Sequence, residues 1–152
     1  MSFSNNIFGL ANPQTCRCRV LGYIMGHSQL YVSVSMPSNI GVNANEALCL
    51  AFEGVLYYEG PMWWQGADIR IGTRDEQLEI LKRVNKSDFE STGDNDEYAL
   101  QKYRLFILDG PDAQVRIVAM MAFKAMRCPE IWKESTDIPF EAIDLTPPLP
   151  VP

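Results

Sequence analysis

Two carboxylates, Glu53 and Asp68, and one guanidinium, Arg70, have the types and spacing that acid and base chemistry would need. They lie in one stretch, residues 47–71 (ALCLAFEGVLYYEGPMWWQGADIRI), where two apolar runs meet at Glu59-Gly60-Pro61. Proline cannot donate to a strand ladder and glycine supplies the backbone angles of a reversal, so the stretch reads as a β-hairpin. With Gly60 and Pro61 at the tip, Leu56 faces Gln65, Gly54 faces Ala67, Phe52 faces Ile69 and Leu50 faces Ile71. The opposite face then carries Tyr57 against Trp64, Glu53 against Asp68 and Ala51 against Arg70. Directly opposed carboxylates repel, so the pair needs water, Arg70 or a ligand to offset the charge. Glycoside hydrolysis uses two carboxylates separated by roughly 5 to 9 Å. Glu53, Asp68 and Arg70 are therefore the candidate catalytic group of a small hydrolase. The competing reading is a solvated face on which Arg70 screens both acids.

Other chemistry is harder to build. Cys16, Cys18, Cys49 and Cys128 lack the two closely spaced pairs of a zinc knuckle, so no metal site is expected. His27 is the single histidine and falls at a turn. Eight or so residues of strand, roughly 27 Å, would separate it from Cys18, too far for proton transfer. The glycines are scattered, with neither a phosphate-loop nor a dinucleotide-binding spacing, so no cofactor is expected.

The aromatic residues suggest binding rather than catalysis. Trp63 and Trp64 are adjacent on a strand, so one points each way, and the outward one lies near Tyr57 or Tyr58. Exposed Trp and Tyr are disproportionately interface anchors. Tyr57, Trp64 and Arg70 form the expected binding set. The leading functional expectation is a noncatalytic binding or protein-interaction module that self-associates, as a possible homodimer, or meets another protein, with the Glu53/Asp68 hydrolase as the alternative.

The chain has 152 residues with a formal net charge of −6 and is 47% hydrophobic, which suits one domain. The negative balance gives no basis for nonspecific attraction to nucleic acid or an anionic membrane. With neither a basic, apolar leader nor an apolar run of about 20 residues, a cytoplasmic protein with reduced thiols is expected.

The elements that must position these residues follow from periodicity. Residues 1–14 form a loose lead-in from which Ile7, Phe8 and Leu10 can dock. Strand-like runs at 16–25 and 29–36 flank Gly26-His27-Ser28; with those three residues as the loop, Ile24 faces Leu30, Gly22 faces Val32, Val20 faces Val34 and Cys18 faces Met36 on a shared apolar face, while Arg17, Arg19, Ser33 and Ser35 face outward. A helix spans about 74–84, opened by a Thr73/Glu76 capping box and closed by Lys82 and Arg83, with Leu78, Ile80, Leu81 and Val84 on its apolar stripe.

Residues 85–97 hold five acids and one lysine, read as a mobile acidic loop without the spacing of a calcium-binding loop. Runs at 100–108 and 114–123 flank Asp109-Gly110-Pro111-Asp112, with Leu105 and Ile107 sharing parity with Val115, Ile117 and Ala119 and with Arg104 outward. A short helix is plausible at 129–134, and 145–152 is a Pro-rich tail carrying Pro147-x-x-Pro150. The expected fold is a single α+β domain of about six antiparallel strands in three hairpins, a twisted sheet or partly closed barrel, with one helix after the fourth strand.

Overall fold

The computed structural model describes residues 6–10, 12–24, 28–35, 48–84, 100–110, 113–126 and 140–143. His27, Cys128, the acidic segment 85–97, the 129–134 helix and the 145–152 tail lie outside the described residues. The α+β class holds. Among the described residues the antiparallel strands form two sheets, not closed into a barrel, with one eleven-residue helix, Arg74–Val84 (α1). No described helix is long and apolar enough to cross a membrane.

The larger sheet has six strands, ordered β10-β9-β3-β2-β1-β5, and the smaller has four, ordered β4-β8-β7-β6. In chain order the strands are β1 (Arg17–Ile24), β2 (Gln29–Ser35), β3 (Leu48–Glu53), β4 (Tyr57–Glu59), β5 (Trp63–Gln65) and β6 (Arg70–Ile71). After α1 come β7 (Arg104–Asp109), β8 (Gln114–Ala119), β9 (Met121–Ala125) and β10 (Glu141–Ala142).

The first hairpin forms, with Cys18 and Val20 on the apolar face as expected, but in a different register: Cys18 pairs with Val34 and Val20 with Val32, each two residues from the expected partner, and beyond an irregularity between Val20 and Gly22 it is Tyr23, not Ile24, that opposes Leu30. The extra residue of that irregularity is what alternation alone does not reveal. The central hairpin does not form. Gly54 has φ +64, a left-handed conformation that costs glycine little, and there the chain leaves the larger sheet. The Val55 amide still donates to Ser28 O (2.9 Å) in the larger sheet, whereas the Leu56 amide donates to Val118 O (2.8 Å) in the smaller. The chain then alternates between layers: β4 pairs with β8, β5 with β1, and β6 with β7. Residues 54–72 thus lace the two sheets together, as strands that switch sheets do at sandwich corners.

Between the sheets lies the main core. Phe52 of β3 sets its ring edge against Phe8 (6.1 Å between centroids) on one side and Phe106 of the smaller sheet (5.1 Å) on the other. Phe8 and Leu10 are buried, so the lead-in docks as expected, held in part by Lys124 Nζ donating to Phe8 O (2.7 Å).

A second cluster forms where α1 covers the other face of the smaller sheet, with Ile80 and Leu81 against Leu105, Ile107 and Val118. The capping box is present: the Glu76 amide donates to Thr73 Oγ1 (3.2 Å) and the Thr73 amide to Glu76 Oε1 (3.0 Å).

The third hairpin forms with a register one residue away from the expected parity. Phe106 opposes Ile117 and Leu108 opposes Val115, so these residues enter the core between the sheets, while Leu105 opposes Val118 under the helix. Both faces of β7 are buried, and an apolar strand of that kind gives no parity signal of its own. Arg104, expected outward, is 6% exposed and donates through Nη1 to Leu100 O, Gln101 O and Tyr103 O (2.8–3.0 Å). It closes the helical turn at 100–102 by satisfying carbonyls left without helical partners.

Candidate functional site

Glu53, Asp68 and Arg70 are positioned by three different parts of the lacing. Glu53 ends β3, opposes Met121 of β9, and accepts a hydrogen bond from Gln29 Nε2 at 2.8 Å. Asp68 lies in the crossover between β5 and β6, where its Oδ1 accepts the Asn6 amide at 2.6 Å. Arg70 is in the other sheet and makes a bidentate pair with Glu76 (2.9 Å for each bond) and a third contact with Asp109 Oδ2 (3.1 Å).

The cross-strand Glu53/Asp68 pair therefore does not form, and Arg70 screens neither acid. Arg70 instead ties α1 to β7. Its guanidinium, together with the Thr73 amide, holds the Glu76 carboxyl well below the usual carboxylate range, at about 2.

Tyr57 and Trp64 are likewise separated. Tyr57 opposes Val118 in the smaller sheet and packs partly buried against the cluster under α1. Trp64, the expected exposed anchor, is 4% exposed in the core between the sheets. It opposes Cys18 and donates from Nε1 to Gly66 O at 2.9 Å, so both its apolar body and its polar atom are satisfied internally. Pairing of β5 with β1 rather than with β4 sets this orientation.

The same alternation turns Trp63 outward, 75% exposed. It opposes Arg19 across the ladder, and Gln65 opposes Arg17. On the far side of β1, Arg19 opposes Ser33 and Arg17 opposes Ser35. The outer surface of β5, β1 and β2 is therefore a grid of two rows, Trp63-Arg19-Ser33 and Gln65-Arg17-Ser35. These residues, with Cys18, Pro61, Trp64 and Ala113, line an open groove of about 1030 Å³, and none of its described lining residues is acidic. Ser33 Oγ and Ser35 Oγ donate at 3.4 Å to the carbonyls of Arg19 and Arg17, long bonds that are readily exchanged. Neither guanidinium has a hydrogen-bond or ion-pair partner among the described residues.

The outward direction of Arg17, Arg19, Ser33 and Ser35 was legible from alternation. That Trp63 joins them was not, because β5 comes from a stretch whose local pattern favours folding back on β3.

Cys16, Cys18 and Cys49 are buried, and burial, with a smaller contribution from Cys16, pushes the Cys18 thiol up to about 12. No group of three His, Cys, Asp or Glu side chains that could hold a metal ion occurs among the described residues. Comparison with protein-family models, with curated proteins and with solved structures finds no match to this chain.

Proposed function

We propose that this chain is a noncatalytic protein-binding module whose docking face is the outer surface of β5, β1 and β2. The observation that supports this reading is the juxtaposition of Trp63, 75% exposed, with two arginines that have no hydrogen-bond or ion-pair partner among the described residues. Trp and Arg dominate the energetics of protein interfaces. An indole left 75% exposed contributes little to the fold, so most of its apolar surface remains to be buried on binding. Self-association by isologous contact of this face is disfavoured, because it gathers four guanidiniums, Arg17 and Arg19 of each copy, into one interface with no acid among the described lining residues to offset them. The partner in this reading is a different chain, met in a reducing compartment such as the cytoplasm.

Quantitative co-purification from the native cell tests this. Wild type, Trp63→Ala and Lys82→Ala are compared, with Lys82 an exposed control on α1. A protein retained by wild type and by Lys82→Ala but lost with Trp63→Ala is the expected result. Identical recovery with all three removes the face from consideration.

A further inference from the structure

Arg17 and Arg19 stand apart from the other described arginines. Arg70 is held by Glu76 and Asp109, Arg83 by Glu79, Arg116 by Asp109, and Arg104 by three backbone carbonyls, and Arg74 is not free either. In a chain of net charge −6 these two guanidiniums are left side by side over an open groove. Their spacing is a strand's own. Residues i and i+2 on one face lie about 6.8 Å apart, the repeat at which any extended peptide presents alternate side chains on one side.

Resting on the docking face proposed above, we infer that the groove takes an extended acidic segment of a partner protein with carboxylates at alternate positions. One carboxylate meets Arg17 and the next but one meets Arg19. Each guanidinium can offer a bidentate, charge-assisted pair that Lys could not reproduce. Ser35 and Ser33, opposite those arginines, can turn their hydroxyls from the Arg17 and Arg19 carbonyls toward the second carboxylate oxygens. Trp63, at the end of the Arg19 row, gives a flat apolar wall for an aliphatic or proline residue of the segment.

Charge and geometry set this occupant above the others. Two positive charges are too few to track a nucleic-acid backbone, where affinity is built from many phosphate contacts, and the remainder of the chain is net negative. A lipid headgroup surface is recognised by clusters of about four to eight basic residues. A second copy seated face to face brings four guanidiniums together with no acid among the described lining residues to offset them.

The test uses two synthetic peptides of equal charge, one repeating Glu-Thr and one repeating Glu-Thr-Thr. Each is titrated into the full chain while the indole resonance of Trp63, assigned with Trp63→Phe, is followed. The alternating peptide is expected to shift that resonance saturably, more weakly as salt rises, and to bind at least about tenfold more tightly than the other. Arg17→Glu and Arg19→Glu are each expected to weaken it about tenfold, and Lys82→Glu to leave it unchanged, with urea unfolding curves confirming that every variant is folded.

Equal affinity for the two peptides overturns the proposed spacing. Absence of binding by both overturns the acidic occupant. If Trp63→Ala nevertheless loses a co-purified protein, the docking face stands with a different ligand, and if it does not, both readings fall. Tighter binding of a single-stranded oligonucleotide, or concentration-dependent dimerisation abolished by Trp63→Ala, also overturns the proposal.

Discussion

Truncating the two adjacent tryptophans separately should give opposite outcomes, because one belongs to the core and the other to the surface. Trp64 is 4% exposed, and its Nε1 donates to Gly66 O at 2.9 Å. Burial of roughly 200 Å² of indole at about 25 cal/mol/Å² amounts to about 5 kcal/mol. The alanine methyl retains a little of this, and Gly66 O keeps the Cys18 thiol as a donor, so the net cost of Trp64→Ala is about 3–5 kcal/mol. That is a large fraction of the roughly 5–15 kcal/mol that holds a domain folded. Trp63 is 75% exposed, and the same bookkeeping leaves about 1 kcal/mol or less for Trp63→Ala. Urea unfolding with an unchanged denaturant slope measures both on one scale. Equal costs for the two variants, or a larger cost for Trp63→Ala, would refute the assignment of β5 to the edge beside β1.

Three further outcomes follow from the same geometry. Glu76 has its folded pKa lowered from 4.5 to about 2, chiefly by the Arg70 hydrogen bonds, so it contributes stability that is present above about pH 4.5 and lost as pH falls toward 2. With the side chain about a third exposed, screening reduces that contribution from a nominal 3 kcal/mol or so to about 1. Urea titrations across this window should show it in wild type and not in Glu76→Gln, and parallel pH profiles would count against the Arg70-Glu76 link. Gly54→Ala places a Cβ 2.6 Å from Met120 Cγ and Sδ at φ +64, and should destabilise by about 1–3 kcal/mol in thermal melts. Adding Met120→Ala should recover the steric part and leave the backbone cost. Finally, iodoacetamide followed by peptide mass mapping should leave Cys16, Cys18 and Cys49 unmodified in the native protein and alkylate them in urea, since all three are buried.

What could be read before the fold was known divides along physical lines. The β1-β2 face, the capping box and the docking of Phe8 are local patterns, and each is present. The Glu53/Asp68 pair needed a register, and the register needed to know which sheet each strand joins. Periodicity carries no such information: Gly54 looks the same whether it sits inside a strand or ends one. Its positive φ, and the switch of hydrogen-bonding partners from Ser28 to Val118 across the next two residues, decide the question, and both are set by packing between layers. Trp64 was misplaced for the same reason. In β7, burial on both faces erased the alternation that would have fixed its parity with β8.

A photo-crosslinking residue placed at position 63, compared with one at position 82 on the exposed side of α1, tests the docking face most directly. A discrete protein adduct from position 63 that is absent from position 82 and suppressed by Arg17→Glu is the predicted result. Adducts of equal yield from both positions, or none from position 63, would contradict it.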